Sequence, residues 1–313
     1  MATETTSVST TRVRRRRLRE RLDLGSGLLP YFLVIPTILV ILVVAVYPIL
    51  DSVWLSLQDN PGSTLPSAFV GLAHYAQLFQ NSVYQYRGAI ANTLIFFVIS
   101  VALETILGLG VALLINKTFP GRGLVRAAIL VPWAFPTIVS AYIWQLMYND
   151  QTGIITYILQ GLHILAPGGS LLVTTPGVIT ASVVTDVWKT TPFIALLVLA
   201  GLQVIPNELY EAANVDGSSR WQSFRQITLP MLKNVLLIAV LFRSLDAIRV
   251  FDVFYAFGQR QTQSMGSNAF FLMFAGPPTD FGPGLASAVL IFILGIVISL
   301  IFVSQMRGIA QQA

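Results

Sequence analysis

The chain has 313 residues, 55% hydrophobic and 11% charged, with a formal net charge of +5. A charged fraction this far below the globular norm of about 25% excludes an ordinary soluble domain and reads as a membrane protein. The absence of cysteine excludes a disulfide framework, a thiolate nucleophile and a zinc–thiolate site, and the two histidines, His74 and His163, offer no metal-ligand spacing.

From the N-terminus, seven of the nineteen Lys and Arg residues lie between Arg12 and Arg21, immediately before an apolar run. That placement reads as membrane orientation, not as a nucleic-acid arm. The run from Leu28 to Leu50 is too long for the apolar core of a cleaved signal peptide and carries no clear small-x-small site. Six segments have the length and apolarity of spans, at about 29–50, 90–116, 124–148, 176–203, 230–256 and 284–306. The expected fold is therefore all-α and polytopic with six transmembrane helices. It comprises a basic cytoplasmic arm (1–28), a first transmembrane helix with an external loop (29–89) and a helical core (90–313). Fourteen basic residues then fall on the side of the termini and two, Arg87 and Arg260, on the other. The remaining three, Lys189, Arg243 and Arg249, lie inside spans. This asymmetry predicts two cytoplasmic termini in a multi-pass protein of the cell membrane.

The segments 51–89, 150–175 and 258–283 are nearly free of Lys and Arg and read as external loops, whereas KTFPGRG (Lys117–Gly123) is a short internal turn. The stretch EAANVDGSSRWQSFRQITLP (Glu211–Pro230) is a polar island between apolar runs. It predicts two short helices. Asn207 caps the first, Glu208 and Glu211 sit near its positive end, Gly217 ends it, and Ser218 or Ser219 caps the second. Leu209, Ala212 and Ala213 share one face, Trp221 and Phe224 another. An interfacial helix would need Lys and Arg beside a bulky apolar face; an acidic helix with a small face fits a protein groove better.

Apart from Arg126 and Lys233 at the cytoplasmic ends of their spans, seven charged residues fall within expected spans: Glu104, Asp186, Lys189, Arg243, Asp246, Arg249 and Asp252. Each costs about 2.5–3.5 kcal/mol at a bilayer centre unless it faces protein or water. On a continuous helix Asp186, Lys189, Thr190 and Phe193 share one face of the fourth span. Arg243, Asp246 and Val250 share one face of the fifth, with Arg249 a third of a turn away and Asp252 opposite. Two polar faces at one depth predict a common cavity; a purely structural ion-pair network is the alternative. Pro132, Pro136 and Pro192 are candidate kinks.

The EAA at Glu211–Ala213, the glycine at Gly217 and ITLP at Ile227–Pro230 resemble the signature of permease subunits of binding-protein-dependent ATP-binding-cassette importers. FVGLAHYAQLF (Phe69–Phe79), GRGLVRAAILVPWAFP (Gly121–Pro136) and WKTTPFIALLVLAGLQVIPNELYEAA (Trp188–Ala213) extend the likeness to the carbohydrate branch, most of all to maltose and trehalose permeases of the first-subunit type. Where relatives commonly carry a Gly-Gly-Pro turn after the fifth span, this chain has FGQRQTQSMG (Phe257–Gly266). The resemblance implies a type I importer permease fold with a coupling helix within 206–230 that sits in a cleft of the ATPase subunit, so Glu211, Ala212, Ala213, Asp216, Gly217, Trp221 and Phe224 become coupling residues. It implies substrate contacts at Asp186, Lys189, Thr190, Phe193, Arg243, Asp246, Ala247 and Val250. The implied partners are a second permease, a cytoplasmic ATPase dimer and an external sugar-binding protein. No G-x-x-x-x-G-K-[ST] loop is present, so the chain is expected to bind no ATP and to catalyse nothing, with ATP and Mg on its partners. Across the fourth and fifth spans three acids face three bases, a balance suited to a neutral disaccharide or short oligosaccharide, with Phe193 and Trp188 available to cover a sugar ring. A glycerol 3-phosphate importer and an ion-coupled secondary carrier are the alternatives, although no internal repeat of spans is evident.

Overall fold

In the computed structural model, residues 29–59, 61, 67–258, 260–275 and 280–310 are described; the basic arm at 1–28 lies outside them. The described residues are helical apart from turns and one isolated antiparallel bridge between Gln58 and Phe69. The chain divides after Trp54 into two units. The first contains α1 (Leu29–Ile41), a π-helical turn (Leu42–Val46) and the start of α2 (Tyr47–Leu55). Within it no side chain of the most apolar window is buried, as a lipid-facing helix requires.

The π turn has a local cause. Pro48 lacks an N–H and its ring collides with the carbonyl four residues back in a regular helix; a widened turn, closed by Tyr47 N–H on the Leu42 carbonyl, relieves the clash. The device recurs at Phe224–Thr228, where Leu229 N–H bonds the Phe224 carbonyl just before Pro230.

The second unit is built around a pair of long helices, α4 (Tyr86–Asn116) and α8 (Thr175–Leu202). They approach closely at Gly108, where a Cβ would lie 2.7 Å from Ile194 Cγ2. Between them in sequence come α5 (Arg122–Ala134), α6 (Thr137–Met147) and α7 (Ile154–Gly161), and before them α3 (Ala73–Gln80). The expected third span is a bent pair. α5 and α6 meet at 91°, because Phe135 must take extended backbone ahead of Pro136. Pro132 and Pro192 leave their helices unbroken.

After α8 come α9 (Asn207–Val215), α10 (Arg220–Ser223) and α11 (Leu229–Ala247). α12 (Asp252–Phe257), α13 (Met265–Phe274) and α14 (Phe281–Ala310) complete the order. Four described helices are long and apolar enough to cross a membrane, and the bent α5–α6 pair makes a fifth candidate. The fifth expected span, 230–256, is not one helix. α11 stops at Ala247, and the backbone between it and α12 is held open where Ser264 Oγ donates to the Val250 carbonyl at 2.6 Å. α13 folds back inside one expected external loop and packs on α14, where a Cβ on Gly284 would strike Met273 Cγ at 2.4 Å.

Candidate functional site

Three helices converge on one guanidinium. Arg243, on α11 and only 2% exposed, donates through Nε to Glu104 of α4, through Nη2 to Asp186 of α8, and through Nη1 to Asp246 Oδ2 at 2.8 Å. Glu104 is wholly buried. Thr190 Oγ1 lies 2.6 Å from both Glu104 Oε1 and the Asp186 carbonyl oxygen, so its proton is shared between two acceptors. The planar fork of Arg satisfies three carboxylates at once, which a lysine's point charge could not orient. Asp246 is the open arm, its side chain 66% exposed.

Beside this cluster lies a recess of about 80 Å³, open on one side, whose lining includes Asp186, Lys189, Thr190, Arg243, Asp246, Ala247 and Val250. Seven of the eight expected substrate contacts are thus brought together. The eighth is not: Phe193 stacks on Trp133, centroids 5.8 Å apart, and packs within the apolar core around Ile194 and Leu232. Trp188, the other aromatic expected over a sugar ring, packs edge-on against Trp144. The recess also receives Arg249, Asp252, Phe96 and Thr137. The helical wheel placed Asp252 on the opposite side, an inference that assumed an unbroken helix; the break after Ala247 turns Arg249 and Asp252 inward. Glu104 also enters the charge balance. The seven groups are four carboxylates and three cations, so the local set carries one more acid than the fourth and fifth spans alone suggest. A single Glu in a 31-residue apolar helix was the signal available for it.

The polar island folds as two short helices. Ser218 N–H bonds the Ala213 carbonyl and Gly217 N–H the Asn214 carbonyl, a Schellman closure with Gly217 at φ +76°. Ser219, not Ser218, caps α10, in a reciprocal box with Gln222. Two local expectations change. Pro206 is the N-cap and Asn207 the first helical residue, since proline fills a position that needs no N–H. Glu208 is consequently the acid of the first turn, and Glu211 sits beyond it. Tyr210 anchors α9 inward, its hydroxyl 2.9 Å from Thr228 Oγ1. Ala213 and Phe224 are half-buried, while Glu211, Ala212, Asp216, Gly217 and Trp221 are exposed. Val215 is 88% exposed and Trp221, stacked on Phe224, 68%.

Residues 104–310 match the family described as binding-protein-dependent transport system inner membrane component. The trehalose/maltose transport system permease protein MalF of Thermococcus litoralis is 39% identical over 294 residues, covering 93% of this chain and 97% of the relative. The trehalose transport system permease protein SugA of Mycobacterium tuberculosis is 37% identical over 278 residues, 88% of this chain and 87% of that one. Among solved structures, a bacterial alginate ABC transporter in complex with its pentasaccharide-bound periplasmic protein contains a chain that superposes with a TM-score of 0.76 at 22% identity. That match covers 92% of this chain and 96% of the other, and it shows a shared fold. The matching region runs from Glu104 of the buried cluster through the Gly217 island to α14, and the chain belongs to the inner membrane components of binding-protein-dependent transport systems.

Proposed function

We propose that this chain is the permease subunit of an ATP-driven importer and forms the translocation path for a neutral di- or oligosaccharide of the trehalose or maltose kind. The observation that carries the reading is the recess at Arg243: a polar pocket walled by long apolar helices, with acids and bases both present and neither sign in large excess. An anionic solute stripped of water would need a positive surplus there, whereas sugar hydroxyls both donate and accept. The similarity to trehalose and maltose permeases over nearly whole chains supports the same class.

On this reading α11 crosses the membrane as well, because Arg243, near its C-terminal end, is neutralised within the bundle, giving six crossings with both termini cytoplasmic. The island α9–α10 docks on a cytoplasmic ATPase dimer, a second permease completes the pathway, and an external binding protein delivers the sugar. ATP and Mg belong to the ATPase subunits, and this chain is not an enzyme. Its rigid Schellman turn would pass ATPase closure to the spans, where a flexible loop would absorb it.

Proteoliposomes holding the assembled complex, offered trehalose, maltose and a sugar phosphate in parallel with the binding protein outside and ATP inside, test the proposal. Neutral-sugar uptake that persists in an ionophore and disappears without ATP is expected. Asp246→Ala should lower uptake about tenfold, the value of one charge-assisted hydrogen bond, without changing sugar capture by the binding protein. Sugar-phosphate uptake with no neutral-sugar uptake overturns the substrate class, and ATP-independent uptake overturns the importer.

A further inference from the structure

The recess divides its charges into two sets. Arg243 is largely committed within the protein, since each of its three nitrogens donates to a carboxylate, Glu104, Asp186 or Asp246. Asp186 and Thr190 are committed to the same knot. Lys189 is the reverse case. It is 93% buried by position, with 7% of its surface exposed, and lines the recess, yet among the described residues it makes neither a hydrogen bond nor an ion pair. A buried ammonium held only by the longer-range attraction of Asp186 and Asp252 leaves its donors unused, so its place on a polar wall points to an occupant that accepts hydrogen bonds. The acids around it are Asp186, Asp246 and Asp252, and the basic neighbours on the wall are Arg243 and Arg249. Asp252 opens α12, half-buried and without an ion pair among the described residues. Arg249 is partly spent, its Nε bonding the Leu245 carbonyl at 3.0 Å.

We infer that Lys189 and Asp252, set against one another by the break between α11 and α12, are the pair that reads the solute, Lys189 donating to a hydroxyl oxygen and Asp252 accepting from a hydroxyl proton, while Arg243 is a positioning residue that ties α4, α8 and α11. The inference rests on the sugar-permease reading and deepens it: specificity lies at the helix break and not at the most buried charge.

The absence of cysteine in this chain supplies the test. In the assembled complex, with cysteine-free partner subunits, Lys189→Cys, Asp252→Cys and Glu104→Cys are treated with a small water-soluble methanethiosulfonate, with and without trehalose or maltose. The first two are expected to react and to be slowed at least fivefold by the transported sugar, and Glu104→Cys to stay unreactive. In parallel, Lys189→Gln and Asp252→Asn should change the ratio of trehalose to maltose uptake at least fivefold. Arg243→Gln should reduce both sugars in proportion, with a lower thermal midpoint of the complex. The inference is overturned if a complex that carries sugar gives no protection at 189 and 252, or if Arg243→Gln alone shifts the ratio. If both positions react, no neutral sugar protects them and the wild type carries none, the substrate reading fails. The recognition pair is then judged by protection with sugar phosphate, whose absence overturns it as well.

Discussion

The recess and the island solve opposite problems with the same chain. Around Arg243 polar groups are buried and almost all satisfied from within: three carboxylates from three helices close on one guanidinium, and a threonine bonds one of the three. At α9–α10 apolar groups are left largely uncovered by the described residues, with Val215, Trp221 and Leu209 all exposed. A buried ion cluster holds helices to one another at little net gain, because desolvation offsets much of the attraction, but it makes any one missing partner expensive. An exposed apolar face adds little to the chain's own stability and leaves binding energy for a partner. Substitutions in the recess should therefore damage the fold and those in the island should damage assembly.

The largest effect is expected from Arg243→Met, which leaves Glu104, Asp186 and Asp246 facing one another without a cation. Breaking a buried pair in this way costs about 3–5 kcal/mol, more than Arg243→Gln, whose amide can still donate to a carboxylate, and enough to abolish recovery of folded complex from detergent. Replacing Glu104 and Asp186 by Gln and Asn in the same chain should restore much of it, since an uncharged set leaves no stranded ion. Recovery measured by size-exclusion chromatography checks both; a stable Arg243→Met single variant would break the comparison at its root.

Next is Gly108→Val. A Cβ there lies 2.7 Å from Ile194 Cγ2 and 3.2 Å from the Ala195 backbone nitrogen, so α4 and α8 would have to part. Overpacking of this sort costs about 1–3 kcal/mol. Because the same two helices bring Glu104 and Thr190 within 2.6 Å, the thermal midpoint and the transport rate should fall together. Gly110, with open space around it, is the control: Gly110→Val should leave both nearly unchanged.

These contrasts also mark what was legible beforehand. The long apolar helices and the Gly217 turn follow from hydropathy and glycine chemistry, and the clustering of Asp186, Lys189 and Thr190 follows from helical period. The place of Asp252 did not, because a helical wheel carries its phase through residues 248–251, and the chain leaves the helix there. What holds that break open is Ser264, fourteen residues from Val250 and without a periodic mark. Phe193 failed for a different reason. It has the right face of α8, but an aromatic ring next to Trp133 gains more from stacking in the core than from lining a wet wall. The two π turns were half-visible, since prolines 48 and 230 announce a disturbed turn but not its form.

In the island, Gly217→Val should cost about 1–2 kcal/mol, because φ +76° drives a β-branched side chain into its own backbone, although a Cβ there meets no neighbour within 4 Å. The loss is local strain, so the spans should remain intact while the angle between α9 and α10 relaxes. Normal insertion and thermal midpoint within a few degrees, with sugar-stimulated ATP hydrolysis by the complex lost, is the expected pattern. Normal hydrolysis would mean that the turn does not transmit closure.

The smallest effect on the chain itself is expected from Trp221→Ala, and it separates the two regions most sharply. The indole stacks on Phe224 with centroids 5.4 Å apart, yet it is mostly exposed, so its removal should shift stability by less than about 1 kcal/mol. Large aromatic groups at the centre of a protein interface are commonly worth about 2 kcal/mol or more, which corresponds to roughly a thirtyfold weaker association. Titration of the ATPase subunit against the membrane-embedded chain, alongside a melting curve, reads both quantities. An unchanged melt with a thirtyfold loss of ATPase affinity places Trp221 in the partner's cleft. If ATPase affinity holds while the helix leaves the surface of lipid vesicles, the indole is anchored in the headgroup region instead, and the contact with the ATPase must be made by the exposed Ala212 and Val215 side of α9.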